Sequence, residues 1–246
     1  MSCSLQIFGF LFAGHETTST TICWGLKFLA DQPEAQAKLR AALQEKFAST
    51  TSEGGKNPSI QDIMANHIPY LDATIEEILR CVGPSPVVDR QALCDTEVLG
   101  QRIPKGTIVS CLVGGPTMLT PGYAIDEKLR SPTSQAAKTN GRDRAWDPED
   151  MALFKPERWI NAAGEFDAAA GPQLAFGLGT RGCFGKRLVY VEKRILLTLI
   201  VLNFELLPCP AALSSYKALL VTTHEPKQCY VRLREVGKGE RVEVEV

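Results

Sequence analysis

Cys183 stands near the end of a glycine-dense run, Phe176-Gly-Leu-Gly-Thr-Arg-Gly-Cys-Phe-Gly185. Such density calls for backbone that turns tightly or approaches something closely. The thiol therefore projects from a constrained loop rather than from a packed apolar face. Leu188, Val191, Ile195, Leu196 and Leu199 follow at helical spacing, with Lys193 and Arg194 among the residues between them. A thiolate at such a helix start faces unpaired backbone N–H groups and the positive end of the helix dipole, and both favour the anionic sulfur.

Three chemistries compete for this loop. Taken alone, Cys183 fits a buried, inert cysteine on a glycine turn. Gly177, Gly179 and Gly182 satisfy G-x-G-x-x-G, with Glu205 a plausible distance downstream, which would suit a nucleotide-binding dehydrogenase. That motif needs a buried strand in front, yet Ala-Ala-Ala-Gly-Pro-Gln-Leu-Ala precedes it and repeated βαβ units are missing. A P-loop also fails, because Lys186 is followed by Arg187. The third chemistry is an iron-ligating thiolate, and it matches a longer pattern: F-x-x-G-x-R-x-C-x-G, met by Phe176, Gly179, Arg181, Cys183 and Gly185. This resembles the haem-binding loop of the cytochrome P-450 (haem-thiolate monooxygenase) family.

Other segments test the resemblance. Residues 3 to about 31 read as one long helix, with Phe8, Leu11, Phe12, Ile22, Leu26 and Leu29 at helical spacing. Its middle is locally wrong for a helix: Gly14 precedes Thr17, Thr18, Ser19, Thr20 and Thr21, whose hydroxyls compete for backbone carbonyls. His15-Glu16 does not extend to H-E-x-x-H, since position 19 is serine. Ala13-Gly-His-Glu-Thr-Thr18 instead looks like the family's (A/G)-G-x-(D/E)-T-(T/S) signature. There a distorted helix leaves a groove beside the iron; Thr17 would hydrogen-bond iron-bound oxygen and Glu16 would help relay protons.

The elements around these motifs follow in order. Asp31 and Pro33 open a second helix with Leu39, Ala42, Leu43 and Phe47 on one face. Residues 49 to 58 form a polar loop, and Ser59-Ile-Gln-Asp62 is a capping-box start. A helix from Pro69 to about Cys81 turns Leu71, Ile75, Ile78 and Leu79 inward and carries Glu77 and Arg80 at i, i+3. Alone, that pair is most often solvated and worth about 0.2–0.5 kcal/mol. The resemblance makes it part of a buried Glu77–Arg80–Arg158 network, Arg158 coming from Pro156-Glu-Arg-Trp159, that clamps the loop leading to Cys183. Residues 87 to 113 read as short strands with turns at Gly100-Gln101 and Pro104-Lys-Gly106. Arg90 falls where the family often sets a cation against a haem propionate, while a solvated surface arginine also fits. From Gly114 to about Ala145 no periodicity is evident, so 114–145 reads as a surface insertion. Phe204 to Leu207, Ala218 to Thr223 and Cys229 to Leu233 read as strands, and 235–246 as a peripheral tail.

The totals are compatible with this picture. The 246 residues, 44% hydrophobic, suffice for one sizeable core, and a net charge of −1 gives no electrostatic reason to expect nucleic acid. Eight scattered cysteines without C-x-x-C argue against a zinc ribbon, covalent c-type haem or a disulfide scaffold. No membrane span or signal peptide is visible.

The expected fold is mainly α with a small β region, the C-terminal part of the cytochrome P-450 fold over 1–246. The resemblance implies haem b, O2, a small organic substrate and electrons from a reductase using NADPH. For full-length members it implies the cytoplasmic face of the endoplasmic reticulum membrane. No counterpart is found for the family's N-terminal anchor, its propionate-gripping helix or most substrate-facing segments. The first helix would then show an open apolar face. The chain is thus either an incomplete monooxygenase or a non-catalytic relic of one.

Overall fold

The structure, a computed structural model, describes residues 3–48, 57–114, 116–140 and 144–237. Eight-tenths of α4 (Pro69–Val82) is hidden on every side, which makes it the axis of the molecule. Pro69 sits in its first turn, where a missing N–H costs nothing. Gly83 ends it in the left-handed region at φ 47°, its N–H returning to the Leu79 carbonyl. Around α4 pack α1 (Cys3–Asp31), α2 (Pro33–Lys46) and α7 (Lys186–Asn203). Leu71, Ile75, Ile78 and Leu79 meet Leu29, Leu39, Leu43, Leu197 and Val201 in one core.

A second, smaller core joins Ala73 on α4 to Trp146, Met151 and Trp159. The short helix α3 (Ile60–Ala65) starts with the reciprocal Ser59–Asp62 capping box and leans on α7. The 49–58 loop lies mostly outside the described residues.

Gln36 ties three elements together and is not signalled by any sequence pattern. Its buried amide donates to the carbonyls of Leu29 and Leu206, both at 2.9 Å, and its oxygen accepts from Leu206 N–H and Arg40. The end of α1, the face of α2 and β5 (Phe204–Leu207) are thereby held in register.

Several details differ from the sequence reading. α1 runs unbroken through the threonine stretch. Thr17, Ser19 and Thr21 donate to the carbonyls of Ala13, His15 and Thr17 at 2.7, 2.8 and 2.7 Å, so the competing hydroxyls are absorbed within the helix. Asp31 ends α1 and pairs with Lys27 and Tyr216, leaving Gln32 to precede Pro33. In α7 the inward face is offset from the leucine pattern: Leu188 and Leu196 are exposed, while Lys193, Leu197, Thr198 and Val201 are buried.

The β structure is four two-stranded antiparallel pairs among the described residues. β1 (Val87–Gln91) pairs with β4 (Ile108–Leu112), and β2 (Thr96–Val98) with β3 (Gln101–Ile103) across Leu99-Gly100. That turn is one residue earlier than expected, both residues taking positive φ as a tight hairpin demands. β6 (Ala218–Leu220) folds back on β7 (His224–Pro226), where one longer strand was expected. β8 (Arg232–Glu235) pairs with β5, so the start of the tail is built into a sheet; residues 238–246 lie outside the description. Among its described residues the 114–145 segment carries the short helices α5 (Pro116–Leu119) and the exposed α6 (Pro132–Thr139), with a 3-10 turn at Glu127–Leu129 between them. Its beginning is internal rather than superficial, since Met118 is buried.

The N-terminal half of α1 exposes Ile7, Phe8, Phe10, Leu11 and Phe12, with Phe10 meeting the exposed ring of Phe184. No helix among the described residues is long and apolar enough to cross a membrane.

Candidate functional site

The glycine run folds into a closed loop. Gly177 and Gly179 take φ of 61° and 67°, a region that L side chains enter at a cost. Gly177 N–H reaches Leu174 O at 2.8 Å, Gly182 N–H reaches Gly179 O at 3.0 Å, and Cys183 N–H returns to Phe176 O at 2.8 Å. Gly185 then caps α7 with no side-chain acceptor for its first-turn N–H groups. A Cβ on Gly185 would touch Cys183 Sγ at 3.8 Å, so the sulfur lies directly beside the start of the helix.

This loop forms one wall of a cavity of about 240 Å³. Phe176, Arg181 and Cys183 line it from the loop, Thr17 and Thr21 from α1, and Arg90 from β1. Leu79, Val88, Val113, Leu174, Ala175 and Val189 supply apolar surface. Glu16 is not among the lining residues and faces His15 instead, at 3.7 Å. Gly179 and Gly185 shape the loop without lining the cavity. Arg90 is exposed and donates to the neighbouring Asp89 carbonyl at 2.8 Å.

Glu77, Arg80 and Arg158 meet where α4 packs on the Pro156–Trp159 turn. Arg80 grips Glu77 with two parallel bonds of 2.8 Å, and Arg158 Nε joins at 3.0 Å. Lys155 N–H and Trp159 Nε1 complete the set on Glu77, two donors that the sequence did not reveal. The remaining donors of Arg80 reach the carbonyls of Met118, Met151 and Leu153 at 2.7, 2.8 and 3.0 Å. Every strong polar atom of this buried pair is thus engaged, which is the condition under which buried charges are tolerated.

The second buried charge is different. Lys193 is 1% exposed, and its ammonium has no hydrogen-bond partner among the described residues. It lines the cavity beside Phe176, 5.9 Å from that ring's centre. Burial drags its pKa down to about 7, against the pull of Glu76 and Glu192. Glu76 is itself engaged by the Tyr190 hydroxyl and Gln173. The sequence placed Lys193 between the apolar positions of α7 and so missed it; the one available signal was that 193 and 197 share a helix face with Val201.

The dehydrogenase reading of Gly177, Gly179 and Gly182 is overturned by the topology. Coil precedes Gly177, and all strand pairs among the described residues are antiparallel, so the βαβ frame for a dinucleotide is missing.

Compared with known families, residues 3–116 and 145–230 match the profile described as Cytochrome P450. The chain belongs to the cytochrome P450 family. It is 47% identical over 247 aligned residues to cytochrome P450 monooxygenase TRI13 of Fusarium sporotrichioides, covering 94% of this chain and 42% of that protein. A cytochrome P450 monooxygenase of a Dothistroma septosporum gene cluster is 40% identical, with 95% of this chain and 78% of that protein aligned. Among solved structures, the cytochrome P450DA haem domain superposes with a TM-score of 0.69 at 26% identity, covering 98% of this chain and 46% of that one. The chain therefore has a partial P450 fold and spans less than half the length of the Fusarium relative and of that haem domain. The stretch 117–144 falls between the two parts of the profile match.

The P450 cavity suits the family's cofactor in its chemistry. It offers one thiol, apolar walls, two guanidinium groups and a lysine Nζ without a hydrogen-bond partner among the described residues.

Proposed function

We propose that this chain is the haem-thiolate part of a monooxygenase, in which Cys183 would be the residue that ligates the iron of haem b. The observation that carries the reading is that Thr17 and Cys183, far apart in sequence, line one cavity. When bound, the haem would supply the chemistry that inserts one oxygen atom of O2 into a small organic substrate and releases the other as water.

The chain's own residues would do the rest. Arg181 and Arg90 would hold the propionates. Phe176 would pack near the sulfur, and the N–H groups around Gly185 would temper its charge. Because the Thr17 hydroxyl donates to Ala13 O, its oxygen remains free to accept a hydrogen bond in the cavity. Glu16, one residue away and half-buried, would exchange protons with it through solvent. The Glu77–Arg80–Arg158 network, with Gly179 shaping the loop, would hold Cys183 in place. Electrons would come from a reductase partner using NADPH, at the cytoplasmic face of the endoplasmic reticulum in the whole protein. The 114–145 segment, after its buried start, would be a surface insertion.

The test is the spectrum of the haemin-loaded chain, reduced under carbon monoxide. A Soret band at the thiolate-ligated position, lost in Cys183→Ala, is the expected result. Absence of haem uptake, or an unchanged band in the variant, would sink the assignment.

A further inference from the structure

The Lys193 side chain is buried and lines the cavity from α7, and among the described residues its Nζ has no ion pair and no hydrogen bond. Removing a charge from water costs several kcal/mol, so a buried amine keeps its proton through neutral pH only where something repays the cost. Its surroundings do not repay it. Phe176 and Tyr190 present rings that contact each other, 5.5 Å between centres. Glu76, the carboxylate that attracts it most strongly, is occupied by Tyr190 and Gln173. Lys186 already lies over the Phe176 ring, 5.7 Å from its centre, so a second cation beside that ring gains little from it. The cavity is the remaining direction, and Cys183 lines the same cavity.

We infer that Lys193 is a positioning residue for the cofactor: it would hold its proton when the cofactor is bound, its counter-charge being the anionic thiolate–porphyrin unit that would occupy the cavity. This rests on the haem-thiolate reading above. A cation held near that unit favours the reduced form, because reduction adds negative charge, and it strengthens retention of the anionic cofactor. Neither effect needs Lys193 to touch iron.

The experiment loads the full chain with haemin and compares it with Lys193→Met, which keeps length and removes charge, and Lys193→Arg, which restores charge. The reduction midpoint is read by spectroelectrochemical titration, and haemin loss by transfer to apomyoglobin. Lys193→Met should move the midpoint to more negative potential and speed haemin loss by on the order of tenfold. Lys193→Arg should return both toward the parent. An unchanged midpoint and unchanged loss rate in Lys193→Met would overturn the role of Lys193 alone, whether or not the arginine variant folds. A parent chain that takes up no haemin would instead overturn the cofactor reading itself, and this inference with it.

Discussion

Cys183 N–H and Phe176 O, 2.8 Å apart, close the glycine loop on itself. The position of the sulfur therefore depends on the backbone angles between them, above all the positive φ of Gly177 at 61°. An L side chain in that region costs roughly 1–2 kcal/mol. Gly177→Ala should accordingly loosen the loop without unfolding the protein. Hydrogen exchange at the Cys183 amide should quicken while α4 amides keep their protection. Equal protection at Cys183 would show that the loop is held from elsewhere.

The Glu77 carboxylate receives five nitrogen donors, from Arg80, Arg158, Trp159 and the Lys155 backbone, and a longer contact from the Cys81 thiol. Glu77→Gln keeps the shape but leaves one acceptor oxygen and adds two donors against a buried guanidinium. Breaking one side of such a pair costs about 3–5 kcal/mol. Urea unfolding should report a loss of that order, and a loss under about 1 kcal/mol would mean that the network is dispensable.

Packing sets a third expectation. A Cβ on Gly171 would lie 2.6 Å from the Trp146 ring. That ring is wedged edge-on against Trp159 and faces Arg80 and Arg158, so it has little room to withdraw. Gly171→Ala should destabilise by about 1–3 kcal/mol, the usual cost of overpacking. Near-ultraviolet circular dichroism of the tryptophans should change with it.

Thr17→Ala isolates the hydroxyl at the cavity. Its bond is to a carbonyl of its own helix, so stability should fall by less than about 1.5 kcal/mol. In the haem-loaded protein with a reductase, haem content should hold while reducing equivalents divert to peroxide. Full coupling of electrons to product in the variant would remove Thr17 from the mechanism.

The sequence carried the helices and both motif ends of the cavity because those signals are local: periodicity, capping chemistry and glycine spacing. Where it misled, partners distant in sequence decided the outcome. Gln36 reads as a polar helix residue, yet Leu29 and Leu206 need its amide. Lys193 reads only as a residue between the apolar positions of α7, yet the helix packs with it buried. The short strands were blurred at their ends because three-residue pairs such as β6 and β7 are fixed by contacts with α1 and the end of α4, not by their own alternation.

The pH dependence of stability offers the last test. Burial lowers the Lys193 pKa from 10.5 to about 7 in the folded chain. Below about 7 the lysine is charged in both states, and folding bears the full cost of enclosing it. Between about 7 and 10.5 the unfolded chain binds more protons than the folded one, so stability rises with pH across that window. The groups around Lys193 are Glu76 on α4, Glu192 on its own helix and the Phe176 ring, over which Lys186 also lies. Cys23, drawn down to about 7 by Cys229, adds a slope of the same sign, so the comparison must be made with Lys193→Met. Without haem, that variant should be more stable than the parent at neutral pH by about 1–4 kcal/mol, the range seen when buried charges are replaced by apolar groups. The gain should shrink as the pH is raised to 9 and beyond. A gain that is constant from pH 6 to 10 would mean that the ammonium keeps its proton throughout, and that solvent or a fixed anion reaches it.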